Sequence, residues 1–293
     1  MRTETDVETG VRGASTAGAV DAGTGTGGAG LAADAGLEAR AVRLGYDATP
    51  IVHGVDFRLR PGSFTTIIGP NGCGKSTLLK GMARLLAPSD GQVVLDGKTL
   101  QDWKPKTAAR RIGLLPQTSV APEGITVHGL VSRGRYPHQG FLQPWSDADE
   151  RAVEAALERT GLVQLRHASV NALSGGQKQR VWVAMALAQE TEILLLDEPT
   201  TYLDIAFQLD LLELFAELNA EGTTILSVLH DLTHAARYSD HIVAMKDGRI
   251  EAEGAPSEVV TEATVERIFG ITCDIVPDPR SGNPLVIPLT RAG

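Results

Sequence analysis

Nine residues between positions 69 and 77 combine small side chains with one lysine and two hydroxyl groups. They are Gly69-Pro70-Asn71-Gly72-Cys73-Gly74-Lys75-Ser76-Thr77, which fits the Walker A pattern of a phosphate-binding loop. Glycines let the backbone bend until successive N–H groups point at an anion, and a helix behind them adds partial positive charge. Lys75 would contact the β- and γ-phosphates of a nucleotide, and Ser76 would offer its hydroxyl to Mg²⁺. The spacing predicts a nucleoside-triphosphate site, and the alternative is a glycine-rich turn without a ligand.

Two acidic residues follow a short apolar run later in the chain. Ile193 to Leu196 is uninterrupted apolar sequence, and Asp197, which lies 122 residues beyond Lys75 (197 − 75), comes next with Glu198. An acid at the carboxyl end of a buried strand lies at the crevice where open α/β sheets bind ligands. Asp197 would hold Mg²⁺ through water, and Glu198 would orient or deprotonate an attacking water. Considered alone, the two acids could simply be exposed residues at the end of a strand. In combination with the glycine loop, they predict a site that hydrolyses a nucleoside triphosphate.

A second candidate anion site lies at Leu173-Ser174-Gly175-Gly176-Gln177. A stretch with helical spacing, 178–188, follows it, so Ser174 and the two glycines would form a helix N-terminus that can receive an anion. An ordinary helix cap is the alternative. One triphosphate fills one glycine loop, and a second cradle without a phosphate of its own therefore suggests a site for a neighbouring molecule's nucleotide.

The hydrophobic pattern predicts the scaffold that positions these residues. Short, continuous apolar strands are expected at Phe64–Gly69, Ile193–Leu196, Thr224–Leu229 and Ile242–Met245. Helices are expected at 76–86, after the glycine loop, and around Leu211–Leu218. Because buried strands alternate with amphipathic helices, a parallel sheet covered on both faces is predicted.

Segments of other types flank and interrupt this sheet. Alternation from Leu37 to Leu59 predicts half-exposed antiparallel strands. Residues 118–173 are predicted to form an inserted helical subdomain, with Asp147–Leu162 as its clearest helix. Helical spacing at Pro256–Phe269 and strand-like alternation at Cys273–Pro288 predict an accessory tail packed on the core.

In their order along the chain, these motifs resemble the ATP-binding cassette (ABC) family, whose signature sequence the Leu173–Gln177 segment resembles. The resemblance spans roughly Leu37 to Pro256 and adds four further positions. They are an aromatic residue that stacks on adenine (Tyr46), the Q-loop glutamine (Gln117), the D-loop aspartate (Asp204) and the switch histidine (His230).

The resemblance implies an α/β fold with a P-loop NTPase core and a mixed, mainly parallel sheet. An N-terminal antiparallel β subdomain and an inserted α-helical subdomain complete it. ATP and Mg²⁺ are expected to bind between two copies of the chain arranged head to tail, each ATP lying between one Walker A loop and the opposite signature segment. Such an interface is isologous, which fits a homodimer.

The resemblance also assigns roles to individual residues. Catalytic roles are implied for Glu198, His230, Gln117 and Lys75, and Mg²⁺ contacts for Ser76, Gln117 and Asp197. ATP contacts are implied for Tyr46, for the loop residues Gly69, Pro70, Asn71, Gly72, Cys73, Gly74, Lys75, Ser76 and Thr77, for Ser174, Gly175, Gly176 and Gln177, and for Asp204.

Composition bounds the domain organisation and the compartment. Residues 1–36 are rich in Gly, Ala and Thr and are predicted to be a disordered tail, followed by an ATPase domain at 37–260 and the accessory tail at 261–293. The net charge of −9 argues against a nucleic-acid partner. Two distant cysteines and the lack of a long apolar run favour a soluble protein of a reducing compartment. The family resemblance implies that it is attached peripherally to the cytoplasmic face of the cell membrane.

One Walker A loop, one signature and no membrane span favour a detached motor subunit that docks on separate permease chains and, through them, serves a solute-binding protein. The segments Arg133–His138, Trp145–Asp149 and Thr201–Ala206 resemble the cassettes of iron-siderophore importers. Heme and vitamin B12 cassettes share parts of this pattern and stay open as alternatives, as does a cytosolic cassette that acts as a regulator. In this family, the region from Gln117 to Pro144 receives the permease, so Arg133, Tyr136 and His138 are docking candidates.

Overall fold

The computed structural model describes residues 36–47, 49–117, 120–140, 145–201 and 203–291. The strands are β1 Leu37–Tyr46, β2 Thr49–Leu59, β3 Phe64–Ile68, β4 Asp90–Leu95, β5 Lys98–Thr99, β6 Ile112–Leu115, β7 Ile193–Asp197, β8 Thr224–Val228, β9 His241–Lys246, β10 Arg249–Gly254, β11 Ile271–Pro277 and β12 Pro284–Arg291. The α-helices are α1 Lys75–Met82, α2 Pro105–Ala109, α3 Val127–Val131, α4 Asp147–Arg159, α5 Gly175–Leu187, α6 Ile205–Ala220, α7 Leu232–Tyr238, α8 Pro256–Val259 and α9 Glu262–Phe269. Short 3₁₀ helices occur at Leu100–Asp102, Ser132–His138, Val163–Leu165 and Val170–Ala172.

The central sheet has the strand order β10-β9-β3-β8-β7-β6, in which only the β9–β10 pair is antiparallel. Every residue of β3, β7 and β8 is buried, which explains why their sequences consist mainly of apolar and β-branched residues. Alternate residues face opposite sides of the sheet: Ile67 and Leu195 share one apolar cluster, and Ile68 and Leu196 lie on the other side, each in a cluster of its own. The predicted mixed, mainly parallel sheet is confirmed, and its carboxyl edge carries the candidate site.

A second, antiparallel sheet has the order β2-β1-β4-β5 and confirms the predicted antiparallel subdomain. The pairing of Leu37 with Leu59 and of Leu44 with Val52 places apolar side chains on the same face. That face packs against Leu78 and other residues of α1 in one cluster with the central sheet. The antiparallel sheet therefore holds the helix that follows the glycine loop.

The helical part of the fold is built around α3, α4 and α5. Val127 of α3, Val153 and Leu157 of α4, and Val181 and Ala184 of α5 share one buried cluster. The signature segment begins α5, so it is carried by this helical layer. On the face of the central sheet that carries Ile68, α7, α8, α9 and the β11–β12 hairpin share another cluster.

Two helices end earlier than their sequences predict, and a third predicted helix is divided in two. Helix α1 stops at Met82 instead of Leu86 because Arg84 is left-handed (φ 64°), with its N–H bonded to Gly81 and that of Leu85 to Lys80. Helix α4 stops at Arg159, shortly before the left-handed Gly161. The predicted helix Pro256–Phe269 is two helices, because Thr261 starts α9 as its N-cap.

Several sequence predictions lie outside the described residues: the tail at 1–35, and positions 118–119, 141–144 and Tyr202 within the docking and D-loop regions. Among the helices that are described, none combines the length and the apolar character needed to cross a bilayer.

Candidate nucleotide site

The glycine loop joins β3 to α1 and has the backbone that its sequence predicts. Gly69, Gly72 and Gly74 have φ values of 152°, 79° and 103°, which side chains with a Cβ rarely adopt. A Cβ on Gly69 would also lie 2.2 Å from the carbonyl oxygen of Met245. Cys73 is buried, and its carbonyl accepts a hydrogen bond from Gly248 N–H (3.0 Å), so its side chain fills space behind the loop.

Lys75 begins α1 with its ammonium group turned into this loop. The residue is 4% exposed, and its Nζ donates to the carbonyl oxygens of Gly69 (2.8 Å) and Pro70 (2.9 Å). The first N–H groups of α1 have no acceptor within the helix and lie at the same place. The loop therefore combines a fixed cation with a helix N-terminus, which together suit an anion.

Ser76 and Asp197 bring two oxygen donors together at the carboxyl end of β7. The hydroxyl of Ser76 donates to Oδ1 of Asp197 over 2.6 Å, and Asp197 is 2% exposed. Burial raises the pKa of the Asp197 carboxyl, while the bond from Ser76 and the charges of Lys80 and Lys75 lower it. Hydroxyl and carboxylate oxygens are the ligands that Mg²⁺ takes in nucleotide sites, so this donor set fits the ion.

Glu198 lies at the centre of a second group of contacts. Its Oε2 accepts hydrogen bonds from Nε2 of Gln117 and from the hydroxyl of Thr201 (3.3 Å), and its Oε1 lies 2.7 Å from Nε2 of His230. The backbone of Glu198 is left-handed (φ 52°), a conformation that non-glycine residues adopt at a cost. Three segments of the chain thus aim polar side chains at one carboxylate.

His230 reaches Glu198 from the loop between β8 and α7. The preceding residue, Leu229, is buried, and the following residue, Asp231, caps α7 by accepting a hydrogen bond from the N–H of His234 (2.8 Å). The imidazole is therefore carried by a short segment that is fixed on both sides.

These residues surround a cavity of about 670 Å³. Its lining includes the predicted residues Asn71, Gly72, Gly74, Lys75, Ser76, Thr77, Gln117, Glu198 and His230. It also includes Ile51 of β2 and Thr201, to which the sequence analysis assigned no role in the site. Ile51 follows the apolar alternation of β2, so its pattern signals a strand and gives no sign of a ligand.

The signature segment is organised separately. Ser174 and Gln177 form a capping box, in which Ser174 Oγ accepts from Gln177 N (3.3 Å) and Gln177 Oε1 accepts from Ser174 N (3.0 Å). Asp204 caps α6 in a similar way, with Oδ1 accepting from Phe207 N over 3.0 Å. Among the described residues, those lining the cavity around Lys75 include neither Asp204 nor any residue from Ser174 to Gln177.

Tyr46 lies at the end of β1, also outside that lining. Its ring is 43% exposed, and Lys80 Nζ lies 3.5 Å from its hydroxyl and 5.9 Å from the ring centre. An exposed aromatic ring beside the glycine-loop helix is available for stacking, which keeps the prediction for Tyr46 open.

A further group of metal-ligand types occurs in the helical layer, where His128, Glu150 and Glu154 bring ligand atoms within 4.8 Å of one another. Arg166 pairs with both carboxylates, through Nη1 to Glu154 (3.2 Å) and through Nη2 to Glu150 (3.6 Å). Since the guanidinium already balances charge there, this group is an ion-pair cluster that ties α3 to α4.

Comparison with known proteins fits this geometry. A family model described as ABC transporter matches residues 52–201. The chain is 52% identical over 256 residues to the ferric enterobactin transport ATP-binding protein FepC of Escherichia coli (87% of this chain, 94% of the relative), and 51% identical to the achromobactin transport ATP-binding protein CbrD of Dickeya dadantii (87% and 95%). The dimeric structure of the bacterial ABC transporter cassette MJ0796 superposes with a TM-score of 0.68 at 28% identity, covering 75% of this chain and 98% of that one.

Proposed function

The chain belongs to the ABC transporter family as an ATP-hydrolysing cassette, and we propose that it drives import of iron-siderophore complexes through separate permease chains. In this proposal it works as one half of a nucleotide-sandwich dimer at the cytoplasmic face of the membrane. The observation that carries the proposal is the pair of separate anion cradles, one around Lys75 and one at Ser174, on a chain whose relatives are named for siderophore transport.

Binding of ATP begins at the glycine loop. The ammonium group of Lys75 exchanges its two carbonyl partners for phosphate oxygens, and the N–H groups at the start of α1 donate to the same triphosphate. Tyr46 and Ile51 offer apolar surface on the side of β1 and β2. Ser76 and Asp197 would hold Mg²⁺, with Gln117 nearby, and the ion supplies charge neutralisation for the phosphates.

Hydrolysis then depends on Glu198. A water oxygen attacks the γ-phosphorus, the bond between that phosphorus and the bridging oxygen of ADP breaks, and the proton of the water passes to Glu198 or is directed by it. Gln117 and His230 hold the carboxylate in place, and both can turn toward the γ-phosphate or the water when a nucleotide is bound. The products are ADP and inorganic phosphate.

The second cradle supports the dimer. At the start of α5, the N–H groups of Gly175 and Gly176 belong to the first helical turn and lack acceptors within the helix. Neither glycine lines the cavity around Lys75, so a triphosphate held by a second copy is the anion we assign to them. The cassette MJ0796, whose solved structure is dimeric, has the same fold.

A docking surface for the permease adjoins the helical layer. Leu85 is 66% exposed at the mouth of a groove of about 360 Å³, whose lining includes Leu100, Pro105 and Ala108. Tyr136, also exposed, continues this surface through Lys106, whose Nζ lies 4.3 Å above its ring. Exposed apolar side chains around a groove are typical of a protein interface.

Buried contacts fix the segment that presents Tyr136. Arg135 is 5% exposed and bonds Asp149, the carbonyl of Ala188 and Glu190. His138 lies 2.8 Å from the carbonyl oxygen of Gln189. Of the three docking candidates, Arg133 and Tyr136 are therefore free to face a partner, whereas His138 is partly used in holding the segment.

The test is transport by cells in which this gene is deleted and then restored. Cells carrying the unaltered gene should accumulate radioactive iron given as a siderophore complex, and cells carrying Lys75→Ala should not. Heme and vitamin B12 are supplied in parallel as competing solutes. Restored uptake of one of these alone would assign the cassette to that solute, and the absence of a multi-spanning permease after purification from solubilised membranes would remove the transport role.

A further inference from the structure

Helix α7 lies between the central sheet and the C-terminal hairpin. Ala235 and Ala236 are fully buried, and they share an apolar cluster with Ile242 and Ala244 of β9. Cys273 belongs to the same cluster, and Ile271 and Ile275 of β11 and Val286 of β12 pack against it. The hairpin therefore covers the outer side of the helix that follows His230.

A polar contact joins the two elements at the tip of the hairpin. Arg237 of α7 donates from Nε (2.9 Å) and from Nη2 (2.6 Å) to Oδ2 of Asp278. Asp278 is 3% exposed, although it lies in a surface turn. A guanidinium that donates twice to one carboxylate is restricted in angle as well as in distance.

The turn around Asp278 is itself well ordered by hydrogen bonds. Oδ1 of Asp278 accepts from the N–H of Arg280 (2.9 Å), and the backbone of Asp278 bonds Asn283 and Gly282 (2.8 Å each). The carboxylate is thus fixed by its own turn before it meets Arg237, and it can act as an anchor for α7.

The other contacts of α7 place its two ends. Ser239, directly after the helix, shares a hydrogen bond of 2.6 Å with the hydroxyl of Thr66 in β3. At the beginning of the helix, Asp231 caps the first turn, and His230 precedes this cap with its Nε2 2.7 Å from Glu198. A shift of this seven-residue helix would move its N-cap, Asp231, and with it the imidazole of the adjacent His230.

We propose that Asp278 and Arg237 are positioning residues of the hydrolytic site: the C-terminal hairpin holds α7, and through α7 it holds His230 against Glu198. The family model ends at residue 201 and does not include this hairpin. The inference rests on the catalytic role proposed for His230 and adds to it a brace that lies outside the nucleotide cavity.

The test compares kcat and the KM for ATP in the purified full-length chain. Asp278→Asn keeps an oxygen for the N–H of Arg280 but removes the charge that pairs with Arg237. We expect kcat to fall by roughly three- to tenfold, because small displacements of a reacting group cost rate. The KM for ATP should stay within about twofold, because no residue of the glycine loop is touched. Arg237→Gln breaks the same contact from the other side and should have the same effect.

Two controls separate positioning from a loss of stability. Glu221→Gln removes an exposed carboxylate from a different guanidinium pair, with Arg159, and should leave kcat unchanged. In a His230→Ala background, Asp278→Asn should lower kcat no further, since its effect passes through the missing imidazole. Hydrogen exchange of residues 232–238 should be faster in Asp278→Asn than in the unaltered chain.

The outcomes divide cleanly. An unchanged kcat in both Asp278→Asn and Arg237→Gln overturns the inference, and so does a full decrease that persists without His230. If His230→Ala alone hydrolyses ATP at the unaltered rate, the role proposed for His230 is wrong, and that failure is distinct from a failure of the brace.

Discussion

The glycine-loop cluster and the signature turn are the two regions that we propose receive an anion, and they are organised in different ways. We define the glycine-loop cluster as Lys75, Ser76, Gln117, Asp197, Glu198 and His230, and the signature turn as Ser174–Gln177. Contacts within the cluster join residues that are far apart in sequence, such as Ser76 with Asp197 and Gln117 with Glu198. The signature turn is ordered by a capping box between residues three positions apart.

The two regions therefore depend on different parts of the fold. The cluster depends on the central sheet, which brings its segments to one edge, and it is assembled within a single chain. The signature turn needs only the beginning of α5 and is carried by the helical layer. In the proposed mechanism, one chain supplies the hydrolytic side chains of one site and half of a second binding surface, so predictions for the two regions should diverge.

The largest effect is expected for Glu198→Gln. The amide cannot accept a proton from water, so kcat should fall by roughly 10²- to 10⁴-fold, the range of a general base, while ATP still binds. Steady-state phosphate release and size-exclusion chromatography with ATP measure the two properties, and the variant should elute as a dimer. Glu221→Gln is the matched control. Hydrolysis near the unaltered rate in Glu198→Gln would show that Glu198 is not the base.

Ser174→Asp tests the signature turn without destroying its cap. Aspartate is as good an N-cap as serine, so the melting temperature should change little. Its charge would face the triphosphate of a second copy, and like charges at an interface cost several kcal/mol, so hydrolysis should fall by roughly 100-fold. Binding of ATP to the isolated chain, measured by calorimetry, should be unchanged.

Thr261→Asp is the control for this change, because Thr261 caps α9 by the same kind of bond, to Thr264 N over 3.2 Å. It should leave hydrolysis unaffected. If Ser174→Asp hydrolyses ATP at the full rate as a monomer, the signature turn does not serve a neighbour's nucleotide, and the contrast between the two regions loses its basis.

Lys75→Ala changes the glycine-loop cluster and, unlike Ser174→Asp, should weaken the binding of ATP to the isolated chain. Loss of a charge-assisted contact costs about 1.5–3 kcal/mol, so ATP should bind roughly 10- to 100-fold more weakly, and hydrolysis should fall with binding. Calorimetric titration with ATP measures the first effect. Lys98→Ala, an exposed lysine of β5, is the control. Unaltered affinity in Lys75→Ala would remove the glycine loop from ATP binding.

Some elements of the fold can be predicted from the sequence, and others cannot. The strands β3, β7, β8 and β9 are recognisable because burial on both faces favours short runs of apolar and β-branched residues. The glycine loop and the acids after β7 carry their own local signals. By contrast, β6 has only four residues, Ile112–Leu115, and only half of β4 is buried, so neither has a pattern that separates it from a loop.

Contacts across the sheet were harder to predict. A lone glutamine or histidine has no local signal. The role predicted for Gln117 rests on the family resemblance, and that of His230 rests on the resemblance and on its place after a buried strand. Ile51 and Thr201 line the cavity because β2 and the loop after β7 are brought to it by the fold. The bond between Arg237 and Asp278 joins residues 41 positions apart and depends on where the hairpin packs, which composition and periodicity do not determine.

The smallest effect concerns stability, and it contrasts two aspartates. Burial raises the pKa of Asp197, so its folded form holds a proton more tightly than the unfolded chain does, and its charge destabilises the fold at neutral pH. The backbone N–H of Arg280 and the Arg237 side chain lower the pKa of Asp278 to about 2, so its charge stabilises the fold above the ordinary aspartate range. Asp197→Asn should therefore raise the melting temperature at pH 7, on the order of a few degrees, and Asp278→Asn should lower it.

Thermal melts between pH 7 and pH 3 test the sign of both effects. The gain from Asp197→Asn should shrink as the pH falls through the raised pKa toward the ordinary aspartate value, because the unaltered carboxyl then becomes protonated in the fold. The loss from Asp278→Asn should shrink only below about pH 4, as the unfolded chain takes up the proton first. A lower melting temperature for Asp197→Asn at pH 7 would mean that its bond with Ser76 outweighs its burial. In that case the charged form of Asp197 would stabilise the nucleotide-free fold, whereas we expect it to destabilise that fold.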